Sequence, residues 1–463
     1  MGLVGEVEGV LKEFRGVFRR EAAFSWFVVI AWAFMLRLEA AGITSVVRCL
    51  GLASAEYHNL LHFFHSTAFH VHALCARWTE IVQHSTQPVC LAGLPLFVVD
   101  GIKVGKAGDK MPGVKLLHQE STDNTKPAYI MGHFWGALSA LVTAGPHVFA
   151  LPLRLQIQDG LKRSPSEQAT LVDKMHGLVT QLLPAGALVV ADAYYSAEGF
   201  LRALLAAHLH FIGRVRSTTV AYELPPPRGP RRRGRPRVRG ARVKLTELFD
   251  RPDLFRPACV ELYGDLKDIR YLCRDLLWHG LFVRFVLSIY PDGAHRILVS
   301  TNRMLSPEAI LFAYGLRFKI EVSFKALVEI VCGFCYHFWL KVMPKSRRGC
   351  GNQYLHRAGE DYRRQVARKL EAYERFVNIS AIALGILQLL ALRSPERIWH
   401  RFPLWLRTYP EHGCPSENVV RLTLQHELHR ISLTSRRGLL LAKILNQKQR
   451  AARGADHPLR MAA

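Results

Sequence analysis

Two stretches decide how this sequence is read: "PLFVVDGIKV", residues 95–104, and "ALVVAD", residues 187–192. Each is a short apolar run rich in valine, the pattern of a strand covered on both faces, and each runs into an aspartate. A single Asp at a strand end is ordinarily a turn residue. Two of them, Asp100 and Asp192, change the reading. If the two strands are neighbours in one sheet, both carboxylates emerge at the same edge, close enough to repel, so that one would take up a proton. A divalent cation removes that conflict, and carboxylate oxygens with water positions to spare suit Mg²⁺ or Mn²⁺.

The flanking pattern supplies a sheet. "AYIMGHFWGALSALV" and "HVFALPLRLQI" read as two further strands after the first. "SPSEQATLVDKMHGLVTQLLP" (164–184) is an amphipathic helix, followed by the strand ending in Asp192, a helix "AEGFLRALLAAHLH" and a strand "FIGRVRS". This β-β-β-α-β-α-β order predicts an α/β fold, a mixed sheet flanked by helices. Residues 1–88 read as helical, and "GITSVVRCLGLASAEYHNLLHFF" (42–64) has the outline of either a helix-turn-helix or an ordinary helical hairpin. From 217 to 304 the pattern is β-rich and includes a Pro/Arg loop, "ELPPPRGPRRRGRPRVRGARV". A Ser306 cap followed by Pro307 starts helix again.

The composition is that of a folded protein, with 49% hydrophobic residues in 463. Its 62 Lys and Arg against 37 Asp and Glu leave a net charge of +25. Such a surface attracts polyanions, nucleic acid first among them; a ribosomal or membrane-surface partner is the alternative that charge leaves open. Nine scattered cysteines suit a reducing compartment. "CGFCYH" (332–337) has no second pair at zinc spacing and reads as a buried helix. Glu6 and Glu8 stand where a signal peptide carries cations. The apolar stretches 22–36 and 376–392 fall short of the roughly 20 residues of a span and read as core helices, so no membrane is expected.

A third acid should come from a helix. In "YGLRFKIEVSFK", Tyr314, Arg317 and Glu321 are spaced to share one face of a helix. On these residues the sequence resembles the DDE transposases of bacterial insertion sequences, in the branch marked by Tyr-x2-Arg-x3-Glu-x6-Lys. The final Lys is not matched, since position 328 is Val; Lys325 lies one turn beyond Glu321 instead. The resemblance spans roughly residues 94–340. It implies an RNase H-like core in which Asp100, Asp192 and Glu321 bind two Mg²⁺ or Mn²⁺ ions and catalyse cleavage at transposon ends and strand transfer into target DNA. It also implies that Arg317 neutralises phosphate charge and that Tyr314 contacts the DNA backbone. A nuclease that cuts without joining, or an inactive DNA-binding remnant, are the alternatives.

The resulting organisation has five parts. A helical DNA-binding domain covers 1–88, and the core runs over 94–216 and 305–392, divided by the β-rich insertion at 217–304. A basic helical region covers 393–463. Lys103, Lys106, Lys110 and Lys115, beyond Asp100, are read as DNA-backbone contacts, with Lys325. So are Arg232, Arg233 and Arg235, in an Arg-Gly-Arg-Pro run that suits a narrow minor groove or plain phosphate contact. Asp109, Asp123 and Asp159 end no apolar run and are read as loop acids. Trp278 is read as either core or a base-stacking residue. The expected partner is double-stranded DNA, with a homodimer assembled on it, no nucleotide cofactor, and a cytoplasmic, nucleoid-associated bacterial setting.

Overall fold

The structure, a computed structural model, describes residues 2–106, 108–119, 127–226, 237–262, 264–337, 339–403, 413–434 and 439–455. The N-terminal helices are α1 (Leu3–Lys12), α2 (Glu21–Leu36), α3 (Gly42–Cys49), α4 (Glu56–His65) and α5 (Val71–Ser85). Next come β1 (Leu94–Gly105), β2 (Tyr129–Ala144), β3 (His147–Ile157), α6 (Leu171–Thr180), β4 (Leu188–Ala191), α7 (Glu198–Ala206) and β5 (His210–Arg214). Four long strands follow: β6 (Arg256–Leu262), β7 (Asp265–Trp278), β8 (Leu281–Ile289) and β9 (His295–Ser300). The chain ends in helices α8 (Pro307–Leu316), α9 (Lys319–Glu329), α10 (Glu360–Arg393), α11 (Pro395–Arg401), α12 (Glu417–Thr434) and α13 (Leu440–Ala455).

One mixed sheet runs through the molecule in the order β3-β2-β1-β4-β5-β9-β8-β7-β6, with short strands along it. β1 and β4 are parallel, as are β4 and β5; β2 and β3 run antiparallel to their neighbours. The β-rich segment forms no separate layer. It extends the same sheet, because β9 pairs with β5 through Val299 opposite Gly213.

The long helix α10 fixes the other end of the sheet. β3 is an edge strand whose outward backbone groups would otherwise go unpaired. Asn378 accepts from Leu155 N–H at 2.9 Å and donates to the Leu155 carbonyl at 2.8 Å, while Glu374, one turn earlier, accepts from Ile157 N–H at 3.1 Å. The helical i, i+4 spacing thus matches the two-residue repeat of the strand edge. The C-terminal half of α10 is buried on every face. A Cβ at Gly385 would run into the ring of Trp78, so the glycine is what lets α5 pack this closely. Among the described residues α10 alone is long and apolar enough to cross a membrane, and 94% of its apolar window lies inside the protein. The shorter apolar helix α2 is also buried nearly all round.

Two buried arginines join the helical layer to the rest. Arg375 of α10 donates to the carbonyls of Phe64, Ser66 and Phe69 between α4 and α5. Arg37, at the end of α2, donates to Gly42 O and Ser45 Oγ with one nitrogen and to Val331 O and Cys332 O with the other. The latter carbonyls follow α9, and Arg421 donates to Ile330 O beside them, so arginines satisfy the C-terminal end of that helix. Here the "CGFCYH" reading is corrected. Helix stops at Glu329, Cys332 turns the chain with φ +51°, and residues 332–337 are irregular, although Phe334 and Tyr336 are buried.

Burial raises the Glu374 carboxyl from 4.5 to about 7. Between these values the folded chain holds a proton that the unfolded chain has released. This group's contribution to stability therefore falls as pH rises from about 4.5 through about 7 and then levels off. Glu374→Gln keeps an acceptor for Ile157 N–H and removes the titration. Urea midpoints measured across that range should fall more steeply for the parent than for the variant; parallel profiles would remove Glu374 from the account.

Candidate active site

The site begins with strand register. In the parallel pairing of β1 with β4, Phe97 lies opposite Val189 and Val98 opposite Val190. Two residues further along each chain stand Asp100 and Asp192, level with one another on strands that lie about 4.8 Å apart. Asp100 continues β1, and Asp192 stands directly before a single 3-10 turn, Ala193–Tyr195, as β4 ends.

Arg317 spans the gap to the late helix. Its guanidinium donates to Asp100 Oδ2 at 2.9 Å and to Glu321 Oε1 at 2.8 Å. The Asp100 and Arg317 side chains are only 20% and 18% exposed, so this is a shielded pair, whereas Glu321 is 55% exposed. Burial raises the Asp100 carboxyl to about 6, against the pull of Arg317 and the Gly101 N–H; the charges of Asp192 and Glu321 add to the rise. Burial alone would lower Arg317, but Asp100, Tyr314, Glu321 and Asp192 outweigh it and raise it above its ordinary value. The four groups therefore act on one another as a single electrostatic cluster.

Several expected residues stand elsewhere than the sequence reading put them. Tyr314, Arg317 and Glu321 do not share one unbroken helix. Between α8 and α9 the chain tightens, with Arg317, Ile320 and Glu321 N–H groups each bonded to the carbonyl three residues back. Tyr314, expected at the DNA backbone, is 6% exposed and lies beneath the guanidinium, its ring centre 5.9 Å from Arg317 Cζ. Lys106 is likewise corrected. It is 6% exposed, its ammonium donates to the carbonyl of Phe334 and sits 4.9 Å from the Tyr373 ring, and burial lowers it to about 8. A lysine turned inward and tied to the segment after α9 cannot meet a phosphate. Lys103 is partly exposed, but three residues past Asp100 it falls on the alternate face of β1.

Lys115 pairs with Asp159 at 2.9 Å, and Lys110 donates to Lys341 O. Lys325 is exposed on α9, one turn from Glu321. Arg232, Arg233 and Arg235, and Asp123, lie outside the described residues. Trp278 is 7% exposed against His279 and Phe285, which places it in the core.

Sequence reasoning missed Tyr195. It is 2% exposed, its hydroxyl has no hydrogen-bond partner, and the negative charges of Asp100 and Asp192 reach it. An orphaned hydroxyl near two carboxylates is one polar group short of satisfaction. The donor chemistry, hard carboxylate oxygens with a hydroxyl, fits a hydrated divalent cation. Among the described residues, though, no three His, Cys, Asp or Glu side chains are already gathered as metal ligands. The Arg317 fork takes that central place between Asp100 and Glu321. The only signal for Tyr195 in the sequence was its position three residues after the second acid.

With this geometry the family becomes clear. The family described as DDE superfamily endonuclease matches residues 13–264, more than half of the chain and inclusive of Asp100 and Asp192. The chain belongs to the DDE superfamily endonucleases. Glu321 lies beyond the matched segment. No curated protein matches the chain. Among solved structures, a cryo-electron microscopy synaptic complex of piggyBac transposase with hairpin DNA is similar over 93% of this chain and 76% of that chain, at 10% identity and a TM-score of 0.35. That likeness is too remote to carry an argument.

If Arg317 serves as the internal counter-charge of the cluster, Arg317→Gln should leave the carboxylates short of a cation. Mn²⁺ binding followed by electron paramagnetic resonance should then tighten severalfold relative to the parent. Unchanged or weaker binding would contradict this role.

Proposed function

We propose that this protein is a DNA transposase of the bacterial insertion-sequence type, with an RNase H-like core, that cleaves transposon ends and joins them to target DNA. The observation that carries the reading is the parallel register that levels Asp100 with Asp192, together with the Arg317 bridge to Glu321. β1 and β4 are adjacent, Asp100 lying in the first and Asp192 directly after the second, and the third acid comes from a late helix beyond the β-rich extension. This is the order that the resemblance demands.

Asp100, Asp192 and Glu321 would hold two Mg²⁺ or Mn²⁺ ions. Bound there, such ions supply an activated water or 3′-hydroxyl and stabilise the leaving oxygen. The chain's own groups do the positioning. Asp100 is anchored by its place in β1 and by the Gly101 N–H, 2.8 Å from Oδ1. Arg317, held over Tyr314, is placed to turn its guanidinium from the carboxylates to a phosphate, whose charge it pairs bidentately. Tyr195, with a free hydroxyl beside both aspartates, would donate to a water or phosphate oxygen at the same point. Lys325 and the basic Pro/Arg segment would contact flanking backbone. Bringing two ends together calls for a homodimer on DNA, working in the cytoplasm.

The test is a Mg²⁺-dependent assay on DNA carrying the element's own ends. Cutting with strand joining supports the proposal; cutting alone supports a nuclease, and binding without either supports an inactive remnant. Asp100→Ala should keep DNA affinity while cleavage drops by several orders of magnitude. Cleavage that survives the change would remove Asp100 from the mechanism.

A further inference from the structure

A cleft of about 890 Å³ lies away from the acids, between the N-terminal helices and the first turns of α10. Arg19 and Arg20, where α1 leads into α2, line it from one element; Arg364 and Arg368, one turn apart on α10, line it from another. Asn59 and His62 of α4 add to its polar lining, and Trp26 and Phe63 are buried apolar residues within it. All four arginines are exposed.

The balance of charge in the cleft is one-sided. Its one carboxylate, Glu371, is already ion-paired with Arg375 at 2.6 Å. Arg364 is paired with Glu360 and Asp361, but all three are exposed on the surface, where such pairs are weak and readily exchanged. Arg368 uses Nε on the His65 carbonyl, which leaves its terminal nitrogens. His65 adds no charge. Burial, with Lys369, Arg368 and Arg375 nearby, lowers it to about 4, while its Nδ1 bonds to Leu61 O and its Nε2 lies 3.1 Å from Lys369.

Four guanidinium groups spread over an open cleft exceed what one small anion needs, and match a ligand whose negative charges recur along its length. We propose that this cleft is a second DNA site, separate from the acidic centre, that grips the sugar–phosphate backbone of the duplex through Arg19, Arg20, Arg364 and Arg368. The inference rests on the reading of the protein as a DNA-acting enzyme and adds a holding surface to it. Such contacts set position and affinity and carry no base sequence. The site also ties the helical layer and α10 to one ligand, and Arg375 already locks these two together.

The experiment uses the full chain and a fluorescent duplex of random sequence, with affinity measured across a salt series by anisotropy. Replacing all four arginines by glutamine should weaken binding by about tenfold or more and make the slope of log K against log salt shallower by about 3 to 4, at roughly 0.9 per lost phosphate contact. Arg19→Gln with Arg20→Gln alone should make it shallower by about 2; this pair decides the matter if the fourfold variant fails to fold. Unchanged affinity and slope in a folded variant would overturn the proposal. The measurement needs no turnover. A chain that binds through the cleft and cuts nothing would sink the transposase reading and leave this one standing.

Discussion

Everything in the site depends on bringing carboxylates together against their mutual repulsion. The backbone does the first part of that work. A one-residue slip of the parallel β1–β4 pairing would turn the shifted strand's side chains to the other face, and both strands are packed in the core, so packing specifies the register that levels Asp100 with Asp192. The second part is electrostatic. Asp100 is shielded enough for its carboxyl to rise to about 6, and the Arg317 guanidinium limits that rise. Without a cation at that point the cluster would take up protons instead of holding charge.

Arg317 can do this because the helical stretch breaks where it sits. The tight turn between α8 and α9 swings the guanidinium toward β1 while keeping Glu321 in its reach. The far end of α9 is held in turn by Arg37 and Arg421 through the carbonyls of residues 330–332. The helical layer thus reaches the third acid through buried, fully directed hydrogen bonds, which are costly to leave unmade. At the opposite border of the sheet, Asn378 and Glu374 satisfy the outward backbone groups at the end of β3, at Leu155 and Ile157.

Much of this was legible in the sequence. An apolar valine-rich run ending in an acid marked both strands, because strand burial and strand ends leave local marks. The Tyr-Arg-Glu spacing singled out Glu321, whose carboxylate the structure sets on the same guanidinium as Asp100. What escaped was tertiary. Nothing near Lys106 says that its ammonium turns inward to a carbonyl 228 residues away, since a glycine-rich, lysine-rich segment looks solvated whichever way it folds. The break at Arg317–Phe318 carries no proline, so the helical spacing reads straight through it. Tyr195 escaped because an orphaned hydroxyl is a property of its surroundings. The edge-closing pair on α10 looked like ordinary polar residues in an apolar helix until β3 was seen beside it.

Whether Asp100, Asp192 and Glu321 share bound metal ions can be measured directly. Fe²⁺ loaded in place of Mg²⁺, with ascorbate and peroxide, generates radicals that cut the polypeptide beside the ion, and mass spectrometry reads the cut positions. Cuts clustered near residues 100, 192 and 321, suppressed by excess Mg²⁺, are what this account predicts. Cuts at one of these segments without the others, or at none of them, would contradict it.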